Sequence, residues 1–563
     1  MGSASRRAFL KLCAASASAL AFARAASGGE KAASARTPAT LDRYLDPLPI
    51  PPRHSPQGKR GDAILYRVRM MEFERSLHSQ LPPARLWGYE GHYPGPIFET
   101  MRGQPIEVEW RNELPVQHLF PVDTHIHGAM APAPAVRTVP HLHGSRTDSI
   151  SDGLPEKWFT PGQSVIFRYP NDQQAAPLWY HDHALGITRL NVYAGLSGFY
   201  FLRDARELSL NLPTGDHEIP LVVQDRTLDE QGQLAYTPSW DDGTDVPIGR
   251  WGPQFFGALP VVNGTVYPYL EVEPRMYRLR VLNAANSRFF RLYLNLAKSA
   301  TDIPALVRFQ QIGSDGGLLA APVPTLKLLL GPAERADLVA DFTGLEGRTV
   351  TLSNDAAAPY PGWTLMHQLH PPLNELMQFR VTRPLAAASA YSMPPAMALS
   401  RYDPAQSVRT RDFVLTDTMD AQGRSLGMFI NGKGYDAPTT ELPKLGTQET
   451  WRFINTTDDS HPMHLHLVQY QILSRQGFSP TAFTQGKLQL EGNPRPPAPH
   501  EAGWKDTAVV DPYEVLTILV RFEGYTGKYV FHCHMAEHED HDMMRPFVVV
   551  AGDSAKEPPA PAG

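Results

Sequence analysis

Ile106-Glu107-Val108-Glu109-Trp110-Arg111-Asn112 alternates apolar and polar positions and stops at an asparagine, the pattern of a strand with one buried face. Tyr277-Arg278-Leu279-Arg280-Val281-Leu282-Asn283 and Thr450-Trp451-Arg452-Phe453-Ile454-Asn455 repeat it, so that the three asparagines fall 171 and 172 residues apart. Val262-Asn263-Gly264 and Ile430-Asn431-Gly432 lie upstream of the last two. One alternating strand recurs by chance; near-equal spacings with shared flanks mark an internal repeat. The rest of the chain reads as short alternating strands, and 43 Gly and 53 Pro leave little room for long helices. An all-β chain of three β-sandwich domains is expected, over residues 43–212, 213–385 and 411–552, with a linker rich in Ala, Ser, Pro and Met over 386–410. That division agrees with a length of 563, more than one hydrophobic core normally serves.

The two ends are of another kind. Ser5-Arg6-Arg7-Ala8-Phe9-Leu10-Lys11 and the mild apolar stretch after it form a twin-arginine export signal, with a cleavage site at Ala23-Arg24-Ala25. Residues 26–42 and the Pro/Ala-rich tail 553–563 read as flexible. The mature chain is expected in the periplasm or medium, as a monomer without a membrane span. Loss of residues 1–25 removes four basic side chains and no acids, which moves the formal charge from −6 to −10. Such a surface argues against nucleic acid or an anionic membrane as partner. Cys13 leaves with the signal, so Cys533 has no intramolecular disulfide partner. A lone thiol in an oxidising compartment needs something to occupy it.

Candidate chemistry concentrates beside that thiol. Phe531-His532-Cys533-His534-Met535-Ala536-Glu537-His538-Glu539-Asp540-His541-Asp542-Met543-Met544 gathers the imidazole, thiolate and thioether ligands that copper favours. On a strand, His532 and His534 point one way and Cys533 the other, so a metal on each side would be joined by a short covalent path. Cys533, His538 and Met543 supply three ligands of a single-copper site, and His461 supplies the remaining imidazole. Three more pairs have the same spacing: His141/His143, His181/His183 and His464/His466. One H-x-H is a weak signal, common among surface histidines. Four pairs, two in the first repeat and two in the third, give eight imidazoles, enough for three coppers with positions open to oxygen. A fifth pair, His125/His127, competes with His141/His143 on spacing, and a hydrogen-bonding or surface role is its ordinary reading. The second repeat carries His217, His367 and His370 but no such pair, and is expected to act as spacer and substrate wall.

These motifs, in this order, resemble the multicopper oxidases, close to the bacterial spore-coat laccase and bilirubin oxidase branch. The likeness runs from about Leu41 to Val550 and is most specific at Leu178 to His183, Asn191 to Gly195, Gly503 to Thr507 and His532 to Pro546. The resemblance implies cupredoxin-like Greek-key sandwiches and four coppers. It implies a type 1 site of His461, Cys533, His538 and Met543, with Met544 the alternative to Met543. It further implies type 2 ligands His141 and His464, and type 3 ligands His143, His181, His183, His466, His532 and His534. The distance from His141 to Asp152-Gly153 matches the family, which sets His125/His127 aside. Asp152 and Glu539 match acidic groups that relay protons.

The implied activity is oxidation of phenols, aminophenols or bilirubin-like pigments, coupled to reduction of O2 to water. A cuprous-ion oxidase for copper tolerance is the alternative, although its usual methionine-rich insert is not evident. A copper-free scaffold would have lost these ligands. Asp458 and Asp459 read as a solvated turn that could instead favour cationic donors. The loops Pro359 to Leu373 and Phe478 to His500 are expected to shape the substrate pocket.

Overall fold

The computed structural model describes residues 41–551 apart from 241–243, 297–304, 363–369, 371–372, 387–390 and 423. The export signal, most of the 26–42 segment, the tail from 552 and His367 lie outside the described residues. Among those described, no helix is long and apolar enough to cross a membrane.

Among the described residues the strands pair into six sheets, two drawn from each third of the chain. Ile106–Glu113, Met276–Asn283 and Gln448–Asn455 occupy the same place in each third. Each has a parallel neighbour from earlier in the chain and an antiparallel neighbour from later. Their asparagines also act alike. Oδ1 of Asn112, Asn283 and Asn455 accepts from the backbone N–H two residues on, at 3.0–3.1 Å. The side-chain amides donate to the carbonyls of Phe159, Leu330 and Val510 across the sandwich end. This local turn ends the strand and ties it to the next segment, which accounts for the recurrence of Asn there.

Asn263 and Asn431 adopt left-handed backbone, φ 49° and 55°, ahead of glycines that do the same. That pair of angles is what a two-residue hairpin turn demands. Each side chain also accepts from the neighbouring strand, at Val222 N and Val414 N. The first third has the same turn at Glu90-Gly91, φ 53° and 67°, with Glu90 Oε1 accepting from Arg69 N. The sequence pattern hides it because Glu replaces Asn.

Two sheets place the chemistry. In the first third, Pro140–His143 pairs antiparallel with Ala176–Asp182, so that His141 lies opposite His181. In the last third, His461–Leu465 pairs with Gly527–Cys533, with Met463 opposite Cys533 and His464 opposite His532. Alternation sends Met463 and Cys533 into a core of Trp451, Phe453, Phe531 and Phe547, and turns His464 and His532 to the other face. Burying such large apolar side chains contributes roughly 1.5–3 kcal/mol each. The described part of the linker is pinned at three places: Ser392 N donates to Asn211 O, Met397 N to Ala320 O and Tyr402 N to Gln471.

Candidate metal centres

Cys533 Sγ lies 3.5 Å from His461 Nδ1 and 3.6 Å from His538 Nδ1, and the two imidazole nitrogens are 3.2 Å apart. All three residues are buried. The short helix Ala536–Asp540 carries His538 back over the end of the Cys533 strand. Met543 follows, its N–H donating to His538 O and its carbonyl accepting from Cys533 N, both at 3.0 Å. Met543 packs in the same apolar cluster as Cys533, whereas Met544 points into a different one with Leu154, Tyr435 and Val530. The opposite facings expected for Cys533 and its two flanking histidines are thus present.

On the other face eight buried imidazoles converge. His143, His181 and His534 group together, as do His183, His466 and His532, and His141 and His464 close the set beside His143. His532 Nε2 lies 3.2 Å from His183 Nε2 and 3.3 Å from His466 Nε2. Burial lowers the affinity for protons of His141, His143, His181, His183, His464, His466 and His534, to a pKa of about 3 for His181 and about 4 for His183. They are therefore neutral near pH 7, with lone pairs available.

The second nitrogen of most rings is anchored. His141 Nδ1 meets Asp152 O at 2.6 Å, His464 Nδ1 meets Asp506 O at 2.8 Å and His181 Nδ1 meets Asp182 O at 2.9 Å. His466 Nδ1 pairs with Asp152 Oδ2 at 2.7 Å, and His143 Nε2 with Asp506 Oδ1 at 3.0 Å. Glu539 lies between His183 and His532, its oxygens 3.4 and 3.3 Å from their Nδ1 atoms. These neighbours hold its carboxylate well below the usual range, against burial. Burial instead pushes the Asp152 carboxyl up.

Copper fits both groups. His141 Nε2, His143 Nδ1, His181 Nε2, His464 Nε2 and His534 Nε2 are buried with no hydrogen-bond partner, a costly state unless a cation accepts their lone pairs. Burial likewise disfavours the Cys533 thiolate, which a bound cation would offset. The donor set of two imidazoles, a thiol and a neighbouring thioether is the one copper takes in electron-transfer sites.

The competing pair is engaged elsewhere. His125, largely exposed, meets Asp123 and Arg250, while His127 lies between Asp436 and Asp542. His541 packs against Trp251.

A cavity of about 260 Å³ opens beside His461, whose Nε2 meets Thr457 Oγ1 at 2.6 Å. Pro359 to Gly362 line it, with Asp417, Met419, Met428, Asp458 and Asp459. The Phe478 to His500 stretch does not, contrary to expectation; Leu490–Arg495 instead pairs with Tyr470–Phe478 as an exposed sheet edge. Asp458 is exposed, as a solvated turn would have it, whereas Asp459 is half-buried in that turn. It accepts from Gln254 at 2.9 Å and is pushed up to about 7 by burial. Gln254 belongs to the second sandwich's loop, whose Trp251 Nε1 donates to Glu537 O. Sequence reasoning missed Thr457, Gln254, Asp506 and Arg335; of these only Asp506 left a trace, within the Gly503 to Thr507 motif.

Residues 133–207 and 404–553 match family profiles described as multicopper oxidase. A laccase of Bacillus subtilis is 42% identical over 90% of this chain and 98% of its own length. A laccase of Haloferax volcanii is 38% identical over 92% of this chain and 86% of its own. The crystal structure of a laccase from Pediococcus acidilactici superposes with a TM-score of 0.70 at 27% identity, over 91% of this chain and 95% of that one.

Proposed function

The chain belongs to the multicopper oxidase family, and we propose that it works as an exported laccase holding four coppers. His461, Cys533, His538 and Met543 would hold the type 1 ion. His141 and His464 would hold type 2, and His143, His181, His183, His466, His532 and His534 the type 3 pair. Copper in these places supplies one-electron oxidation of a phenolic, aminophenolic or bilirubin-like donor and four-electron reduction of O2 to water. The observation that carries this reading is the tripeptide His532-Cys533-His534, which joins the two ligand groups by covalent bonds alone.

The protein's own groups do the rest. Thr457 and Asp459 hold the substrate-side edge of His461 and its turn, while Gln254 walls the cavity and Trp251 ties its loop to Glu537. Asp152 and Glu539 hold carboxyl oxygens against the imidazoles, Glu539 beside His183 and His532, and Asp152 Oδ1 has no hydrogen-bond partner. They are placed to pass protons inward. The twin-arginine motif supports assembly before export to the periplasm, and the oligomeric state we propose is a monomer.

The test is oxygen uptake by the copper-loaded protein with a methoxyphenol or Cu(I) as sole reductant, and Cys533→Ser as blank. Uptake with the phenol, absent from the blank, is expected. Met419 and Met428 beside Asp417 and Asp458 on the cavity wall favour the second reading, a cuprous oxidase. Uptake with Cu(I) alone would establish that instead.

A further inference from the structure

The second sandwich supplies none of the ligands assigned above, yet its buried charges reach the cluster. Arg335, fully buried, donates to both oxygens of Asp506, at 2.7 and 2.5 Å. Asp506 Oδ1 lies 3.0 Å from His143 Nε2, and the Asp506 carbonyl lies 2.8 Å from His464 Nδ1. A carbonyl and a paired carboxylate only accept, so those two ring nitrogens carry the protons. Nδ1 of His143 and Nε2 of His464 are then the free lone pairs, and these are the two ring atoms left without partners. Thr507 Oγ1 lies 3.1 and 3.3 Å from the same two nitrogens but donates its own proton to Asp506 Oδ1, so Asp506 selects the tautomer of a type 2 ligand and of a type 3 ligand. The two rings also stack, with centroids 3.6 Å apart and planes 15° from parallel.

The space is reserved for this arrangement. At Gly144, next to His143, a Cβ would stand 2.6 Å from Asp506 Oδ2 and 3.0 Å from Arg335 Nη2. Any side chain there would displace the pair. The neighbouring Lys505, held by Asp315 at 2.9 Å and Glu334 at 2.7 Å, makes a comparable buried ion pair between the same two sandwiches but bonds to no ligand histidine.

We infer that Arg335 is a positioning residue for the trinuclear site: by clamping Asp506 it sets which nitrogens of His143 and His464 face the metal. The domain that donates no ligand thereby governs retention of copper in the cluster. Lysine cannot reproduce a bidentate guanidinium, so shape and not charge alone is required. The inference rests on the ligand assignment proposed above.

The experiment compares full-length copper-loaded Arg335→Met, Arg335→Lys and the near-isosteric Asp506→Asn with Lys505→Met as control. Copper per chain, chelator competition, the type 2 EPR signal and the blue absorption are measured. Blue absorption reports an intact third sandwich. The expected result is full blue absorption in Arg335→Met and Asp506→Asn, with type 2 and type 3 copper held roughly 10–100-fold more weakly. Arg335→Lys should fall between these and wild type, and Lys505→Met should keep its cluster. Parallel loss of blue absorption and cluster, an equal loss in Lys505→Met, or unchanged copper in Asp506→Asn would each overturn the inference. A wild-type protein with no type 2 signal would instead fail the ligand assignment.

Discussion

The two ligand groups, back to back on one strand, are built by different means. The group around Cys533 comes wholly from the third sandwich, between His461 and Met543, and sits in that sandwich's apolar core. The eight-imidazole group takes four histidines from the first sandwich and four from the third, and is backed by carboxylates from three directions: Asp152, Asp506 and Glu539. An electron entry point needs a rigid apolar cradle and one wall open to substrate. A site that must gather protons needs acids, and acids buried beside it need partners, which come from other domains. One centre follows from the folding of a single domain, the other from the docking of three.

The sharpest way to break the comparison is Cys533→Ser. It should abolish turnover and blue colour yet leave the other group's copper in place, so that copper analysis falls by one ion. Loss of all copper would show that the two groups are not built independently. Next, Glu539→Gln should slow oxygen reduction about 10²-fold or more while the blue absorption persists, seen as rapid bleaching by phenol and slow recovery in air. Loss of colour would assign Glu539 to structure.

Asp540→Ala probes the docking itself. Its carboxylate accepts from the backbone of Thr188 and Arg189 and pairs with the Arg189 guanidinium at 2.8 Å, joining first and third sandwiches in a fully buried strap. Removing one partner of a buried ion pair costs about 3–5 kcal/mol. Thermal unfolding should therefore shift markedly downward.

A smaller effect is expected from Met543→Leu: blue colour retained, and a higher type 1 potential by redox titration, since a weak axial thioether is lost. The smallest lies in the substrate cavity. Burial pushes the Asp417 carboxyl up to about 6, so it is neutral below that pH and anionic above it. For an amine-bearing phenol, KM should fall as pH rises through about 6. Asp417→Asn should move that inflection up toward about 7, where Asp459 on the same wall titrates, with KM raised about fivefold near pH 7.

Much of the fold was legible in the sequence because strand structure is local. Period-two alternation identified the central strand of each sandwich, and the repeated Asn marked its closing turn. Where the residue changed but the backbone did not, as at Glu90-Gly91, the repeat went unseen.

The ligand types were set by the sequence alone: a thiol between two imidazoles on one strand must divide its neighbours between two faces. Spacing could not choose between His125/His127 and His141/His143, since both pairs have the same local geometry. The family's distance to Asp152-Gly153 favoured the second pair, and the tertiary structure gives the physical reason, by engaging the first pair with Asp123, Asp436 and Asp542 and the second with the cluster. The clamp of Arg335 on Asp506 spans 171 residues and two sandwiches, and no local pattern encodes such a contact. The walls of the substrate cavity are decided in the same way. Side-chain facing is a property of a strand, whereas the pairing of buried charges depends on how domains dock.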